Sequence, residues 1–164
     1  MLRVIVQHLE ENSQHGFRKQ RSCLTQLLNH VDHILKCLNS GDEVDTIYLD
    51  YAKAFDKVDH KVLLAKLPKY GLKGKVHAWI KEFLTNRQQT VVVEGSKSSF
   101  QPVVSGVPQG TVLGPLLFIL YINDLVDVLQ FAKGLCFADD TKLTSAIAGE
   151  NDHIKLQEYL WRTI

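Results

Sequence analysis

Cysteine, net charge and long apolar runs are all scarce in this chain. Its three cysteines, Cys23, Cys37 and Cys136, are odd in number and widely spaced, and each sits among apolar residues. That argues against a disulfide framework and for buried, reduced thiols in a reducing compartment. A formal net charge of +1 gives no global basic field to advertise a polyanionic partner, although a local groove can be basic in a neutral domain. No apolar run reaches the ~18 residues of a membrane span. The longest candidate, around "PLLFILYIND", is short and ends in a charge. The opening "MLRVIVQHLEENS" is a poor signal peptide, because its apolar part is brief and acidic residues follow. Repeats, low-complexity tracts and long linkers are absent. The seven histidines form no zinc pattern; His30 and His33 share a helical face, but no cysteine or second pair completes a site.

What remains is an ordinary globular composition. A chain of 164 residues, 45% hydrophobic and 23% charged, suits one domain with a real core. Leu24, Leu27, Leu28, Val31, Ile34, Leu35 and Leu38 recur at helical spacing, which predicts a helix from Ser22 to about Leu38, with Ser22 as N-cap and Gly41 past its end. "VDTIYLDY", 44–51, reads as a strand with Ile47, Leu49 and Tyr51 on one face and Thr46, Tyr48 and Asp50 on the other. Helices are expected over about 60–67, closed by Pro68 and Gly71, and over about 75–84. "QTVVVEGSKSSFQPVV" reads as a hairpin turning around Gly95 to Ser98. "SGVPQGTVLGP" is a loop rich in glycine and proline, and "PLLFILYINDLVDVL" a helix with Pro115 in its first turn. A second hairpin carries "ADD" near its tip, and a last helix begins near Asn151. Hairpins mixed with helices, without regular βαβ alternation, predict an α+β fold: an antiparallel sheet with helices on one face.

The chemistry concentrates in three places. In "LCFADDTKL" an apolar run feeds directly into Asp139 and Asp140, adjacent like charges that call for a proton or a cation. Asp50 ends an earlier strand; if the two strands are neighbours, three carboxylates converge on one sheet edge. Mg²⁺ takes oxygen ligands, typically one or two carboxylates with waters and phosphates, and two such ions ~3.5–4 Å apart clamp the attacking and leaving oxygens of a phosphoryl transfer. Solvated acidic turns are the other reading of the same residues. In "SGVPQGTVLGPLLF" the glycines and proline make a rigid backbone open to close approach, and Gln109 offers both donor and acceptor; an ordinary strand-to-helix loop is the alternative. Phe55, in "DYAKAFDKVDH", is either core filler or a wall beside a bound sugar.

Taken in order and at these separations, "LDYAKAFDKVDH", "SGVPQGTVLGPLLFILYINDL" and "FADDTKL" resemble the reverse transcriptase of non-LTR (LINE-type) retrotransposons, most of all the jockey-like branch. "HGFRKQRSC" resembles the fingers segment that precedes those motifs, and the resemblance runs from about Gln14 to Gln157. It implies a right-hand polymerase palm, about 44–164, with a fingers part, about 14–43, and no thumb. It implies Asp50 and Asp139 as the main ligands of two Mg²⁺ ions, with Mn²⁺ as the substitute metal and Asp140 completing the triad. Phe55 is implied as the sugar gate that favours deoxynucleotides. Gln109 and Gly110 would line the nucleotide and template pocket, and Arg18, Lys19 and Arg21 would contact phosphate or template, unless they form only a solvated basic loop. The implied partners are an RNA template, a DNA primer and deoxynucleoside triphosphates, with no membrane. Action in the nucleus follows from priming on nicked chromosomal DNA, since no localisation signal is visible.

The sequence also departs from that pattern. Upstream fingers sequence, the rest of the palm, the thumb and any endonuclease lie outside these residues, which reads as a fragment with weak or no activity on its own. Pro68 falls in a normally uninterrupted helix. Two other readings stay open: a domesticated, non-catalytic nucleic-acid-binding palm, and a group II intron-type reverse transcriptase with a splicing role. No Ser-His-Asp or activated-cysteine arrangement is present, consistent with phosphoryl transfer driven by positioning and charge neutralisation.

Overall fold

The computed structural model describes residues 13–125 and 132–163. In chain order its elements are α1 (Cys23–Asn39), β1 (Glu43–Leu49), α2 (His60–Lys66), a 3₁₀ turn (Leu67–Tyr70) and α3 (Gly74–Leu84). The short strands β2 (Gln88–Gln89), β3 (Val92–Val93), β4 (Ser96–Lys97) and β5 (Gln101–Pro102) follow. Then come α4 (Leu113–Ile122), a 3₁₀ turn (Asn123–Leu125), β6 (Lys133–Phe137), β7 (Asp140–Ile147) and α5 (Glu150–Thr163). Among the described residues they fall into two compact units, one formed by Lys53–Tyr121 and the other by the residues on both sides of it.

The flanking unit is built on an antiparallel sheet of order β1-β7-β6. β1 therefore lies directly beside β7, the neighbourhood on which convergence of the carboxylates depends. Its register runs from Glu43↔Ile147 to Leu49↔Thr141, and β6 meets β7 as far as Phe137↔Asp140. β1 stops two residues earlier than its sequence suggests, at Leu49, so Asp50 and Tyr51 follow the strand instead of ending it.

α1 starts at a capping box: Thr25 N–H donates to Ser22 Oγ at 3.2 Å and Ser22 N–H to Thr25 Oγ1 at 2.9 Å. The helix forms as the spacing predicts, but its leucine row is not the buried face. Leu24, Leu28 and Leu35 are exposed, while Gln26, His30 and Cys37 are buried. Polar contacts tie this face to the sheet: Lys142 Nζ donates to Gln26 Oε1 at 3.3 Å, Lys133 Nζ to Asn29 Oδ1 at 2.8 Å, and His30 Nδ1 meets Thr144 Oγ1 at 3.3 Å. Buried Cys37 and Cys136 fit the expectation of interior thiols, whereas Cys23 is exposed; all three are free.

The Lys53–Tyr121 unit has an apolar interior that includes Val58, Leu63, Leu67, Ile80, Leu84, Leu117 and Ile119, each without exposed surface. Asp59 caps α2 by accepting from Lys61 N–H at 2.7 Å and Val62 N–H at 3.0 Å. Pro68 sits at the start of the 3₁₀ turn, where its missing N–H breaks no helical bond, and Gly71 closes the turn at φ +74. In the hairpin, β2 pairs with β5 and β3 with β4. The turn is Glu94–Gly95, both at positive φ as a tight two-residue loop of this hand demands, and not the expected 95–98. The Pro115 helix continues as a 3₁₀ turn to Leu125; its expected extension to Leu129, like the first twelve residues, lies outside the described chain.

Candidate catalytic site

Antiparallel register fixes where the carboxylates lie. Leu49 is opposite Thr141, so continuing the ladder by one residue sets Asp50 opposite Asp140. Asp139 is the second of two residues, Ala138–Asp139, that turn the chain from β6 into β7. Asp50 and Asp140 are exposed and Asp139 is half-buried. Among the described residues, no hydrogen bond or ion pair neutralises any of the three carboxylates.

Asp50 and Asp140 share a pocket of about 330 Å³ with Gln26, Tyr48, Phe137 and Lys142, and Asp139 does not line it. Among the described residues, no three His, Cys, Asp or Glu side chains converge as they would around one metal ion. The donor set is nonetheless of the kind a hard divalent cation takes: unpaired carboxylates just past the end of β1, in the β6–β7 turn and at the start of β7, short of a full shell, with the remainder left to water and phosphate oxygen. Among the described residues, His30 and His33 join no metal cluster; His33 Nε2 lies 4.0 Å from Cys37 Sγ.

The segment that begins at Ser13 joins the same sheet at β6. Cys136 N–H donates to Ser13 O at 2.7 Å and His15 N–H to Cys136 O at 2.8 Å. This ladder carries the basic segment: Arg18 Nη1 donates to Gln14 O at 3.3 Å, Arg21 N–H to Arg18 O at 3.4 Å, and Lys19 is exposed. Tyr51, which the sequence did not single out, buries a hydroxyl that has no hydrogen-bond partner among the described residues, and burial pushes its pKa up.

Within the Lys53–Tyr121 unit, the Phe55 and Gln109 segments are sewn together. Val107 N–H donates to Phe55 O at 2.9 Å, Gly106 N–H to Val58 O at 2.8 Å and Ser105 Oγ to Asp56 O at 2.8 Å. His60 Nε2 lies 2.7 Å from Gly106 O. Gly106 fits because it has no Cβ; one built there would lie 2.8 Å from Asp56 O. Gln109 Nε2 then donates to Asp56 Oδ1 at 2.8 Å. Asp56 is a partner the sequence did not flag. The Phe55 ring stacks on Phe118, centroids 4.1 Å apart and planes 18° from parallel. A cavity of about 760 Å³ borders this seam, lined by Lys53, Asp56, Arg87, Ser105 and Gln109 among others. Gly110, at φ +76, has open space where a Cβ would stand.

A family described as "Reverse transcriptase (RNA-dependent DNA polymerase)" matches residues 1–163. This chain belongs to the reverse transcriptase family. It is 37% identical over 162 residues to the RNA-directed DNA polymerase from mobile element jockey of Drosophila melanogaster, covering 90% of this chain and 17% of that protein. It is 34% identical over 161 residues to the probable RNA-directed DNA polymerase from transposon X-element of the same organism, covering 95% of this chain and 18% of that protein. The chain thus spans under a fifth of the length of these relatives. Solved telomerases from Candida albicans (TM-score 0.68, 14% identity, 97% of this chain and 31% of theirs) and Candida tropicalis (TM-score 0.64, 15% identity, 96% and 35%) share its fold. The family read from the motifs is therefore the one found, and the fold is reverse-transcriptase-like, with helices and an antiparallel sheet.

Proposed function

We propose that this chain is the palm, with a fingers part at about 14–43, of an RNA-directed DNA polymerase from a non-LTR retrotransposon. It would extend a DNA primer on an RNA template from deoxynucleoside triphosphates. The observation that supports this most is the β1–β7 register, which ends at Leu49↔Thr141, one residue short of Asp50 and Asp140, with those two carboxylates lining one pocket and Asp139 in the adjoining turn. Divalent ions bound there, two Mg²⁺ in this reading, supply Lewis acidity to the primer hydroxyl and the triphosphate oxygens. The chain's part is to hold carboxylate oxygens at the sheet end, with Asp50 and Asp139 as main ligands and Asp140 in support. Phe55, braced by Phe118, serves as a stiff wall against a ribose 2′-hydroxyl. Gln109, its amide nitrogen held by Asp56, presents its oxygen, and Gly110 leaves room for backbone approach to nucleotide or template. Arg18, Lys19 and Arg21 contact phosphate, which gives affinity without sequence preference. The step of action is nuclear in this reading.

The test pairs two readouts on the chain and on Asp139→Asn. RNA-templated primer extension in Mg²⁺ or Mn²⁺ is expected to be weak and to vanish in the variant. Mn²⁺ titration followed by electron paramagnetic resonance is expected to show binding that Asp139→Asn weakens. Measurable extension that is equal in both proteins, or Mn²⁺ binding untouched by the substitution, would sink the assignment. Binding of RNA without incorporation or Mn²⁺ binding would favour a non-catalytic binder.

A further inference from the structure

Ala138 is the first residue of the turn that carries Asp139, and it sits at φ +55. For a residue with a Cβ that conformation is unfavourable, and it persists only where the surroundings over-determine it. The surroundings here are one side chain from the other end of the chain. Gln14 is buried, at 3% exposure. Its Oε1 accepts from Ala138 N–H at 2.9 Å, and its Nε2 donates to Ala138 O at 3.2 Å. The amide thus occupies both backbone polar groups of Ala138, as a neighbouring strand would. The same Oε1 also accepts from Gly16 N–H at 2.7 Å, which fixes the amide's own orientation. Gly16 is packed so closely that a Cβ on it would fall 2.2 Å from Ala138 N. The ladder of Ser13 and His15 with Cys136 anchors the base of this bracket.

We infer that Gln14 is a positioning residue: its amide clamps the backbone of Ala138 and so fixes where the next residue, Asp139, holds its carboxylate. The inference rests on the reading of Asp139 as a metal ligand. Gln14 touches no reacting atom. It acts as groups behind metal ligands do, and loss of such a partner costs about 10- to 100-fold in metal affinity. A carboxylate in a two-residue turn has few other constraints, because Asp139 itself makes no side-chain bond among the described residues.

The experiment compares the chain with Gln14→Met, which keeps length and bulk but has no amide, and with Gln14→Asn, which keeps the amide but is a methylene too short to span both groups. Three quantities are read: Mn²⁺ affinity by electron paramagnetic resonance, hydrogen exchange of the Ala138 amide by NMR, and thermal melting. Both variants are expected to melt cooperatively, to exchange the Ala138 amide at least about 10-fold faster, and to bind Mn²⁺ about 10- to 100-fold more weakly. If Gln14→Met does not fold, Gln14→Asn decides. Unchanged Ala138 exchange would overturn the clamp. Faster exchange with unchanged Mn²⁺ affinity would overturn the positioning role, provided Asp139→Asn does weaken Mn²⁺ binding. If Asp139→Asn has no effect on Mn²⁺, the ligand assignment fails instead, and the exchange data still judge the clamp.

Discussion

A methyl group added at Gly106 should be among the most damaging small changes to this chain. The residue has φ +85, and an added Cβ would stand 2.8 Å from Asp56 O and 2.9 Å from Asp56 Cα. Two costs follow. Left-handed backbone is unfavourable by about 1–2 kcal/mol for an L-residue with a side chain, and forcing an atom into a packed site costs about 1–3 kcal/mol more. The atoms in the way are backbone, so they cannot rotate aside. Gly106→Ala should therefore lose about 2–5 kcal/mol. Two other glycines separate the terms. Gly95 has φ +83 with nothing within 4 Å of its Cβ position, so Gly95→Ala should show the conformational cost alone. Gly149 has neither the positive φ nor a close neighbour, and Gly149→Ala should stay within about 0.5 kcal/mol. Urea unfolding at unchanged m-value reads the series directly. In thermal melts each kcal/mol moves Tm by about 2–4 °C at this chain length. A Gly106→Ala midpoint no lower than that of Gly95→Ala would refute the close seam between the Phe55 and Gln109 segments.

Two further expectations concern titration and thiols. Burial holds His30 below its ordinary value of 6.5, helped by the charges of Lys142, His33 and Lys133; burial and Lys133 do the same to His33, against Asp32. In both cases the unfolded chain binds more protons than the folded one between the two pKa values, so stability rises with pH there. It should be full above about pH 6.5 and fall as pH drops through the folded values. Urea midpoints at pH 7.5, 6.5 and 5.5 should decrease in that order, and His30→Gln should flatten the trend; an unaltered slope would show that His30 is not the group responsible. In native buffer, a chromogenic disulfide reagent should modify Cys23 quickly and leave Cys37 and Cys136 unreacted until urea is added, since Cys23 is exposed, the other two are buried, and burial also raises the Cys136 pKa. Fast reaction of more than one thiol would contradict the burial of those two side chains.

Much of this arrangement was legible in the residue order. Asp50 and "FADD" each follow an apolar run, which marks two strands and leaves their neighbourhood as a condition; the register meets it, because β1 pairs with β7. Local punctuation was also readable: Ser22 caps α1 and Gly71 closes the turn after α2. Periodicity was less informative about α1. The spacing of Leu24, Leu28 and Leu35 reveals that the helix has two faces, but not which one meets the sheet; Gln26, Asn29 and His30 do so because Lys142, Lys133 and Thr144 offer them partners. The hairpin turn was misplaced by a residue or more because Glu94, an unremarkable turn former, takes the positive φ beside Gly95. Gln14 and Asp56 left no trace in the sequence. A single amide or carboxylate that bonds a residue far away has no period and no spacing signature, and only the folded chain brings its partner into reach.

The sheet register also has a consequence for how the chain reaches its folded state. Thr46 and Thr144, partners across β1 and β7, are 98 residues apart in sequence. Contacts that distant are closed late and slowly, since the loop entropy is lost before any pairing compensates for it. The Lys53–Tyr121 stretch is continuous in sequence, and its own seam closes shorter loops, with Ser105 and Gln109 lying 49 and 53 residues from Asp56. During synthesis that stretch can collapse while β1 is still an unpaired strand, with Asp50 at its end and nothing opposite. The carboxylate end of the sheet is therefore among the last parts to exist, and β1, waiting with open backbone donors and acceptors, is where mispairing with a second chain would begin.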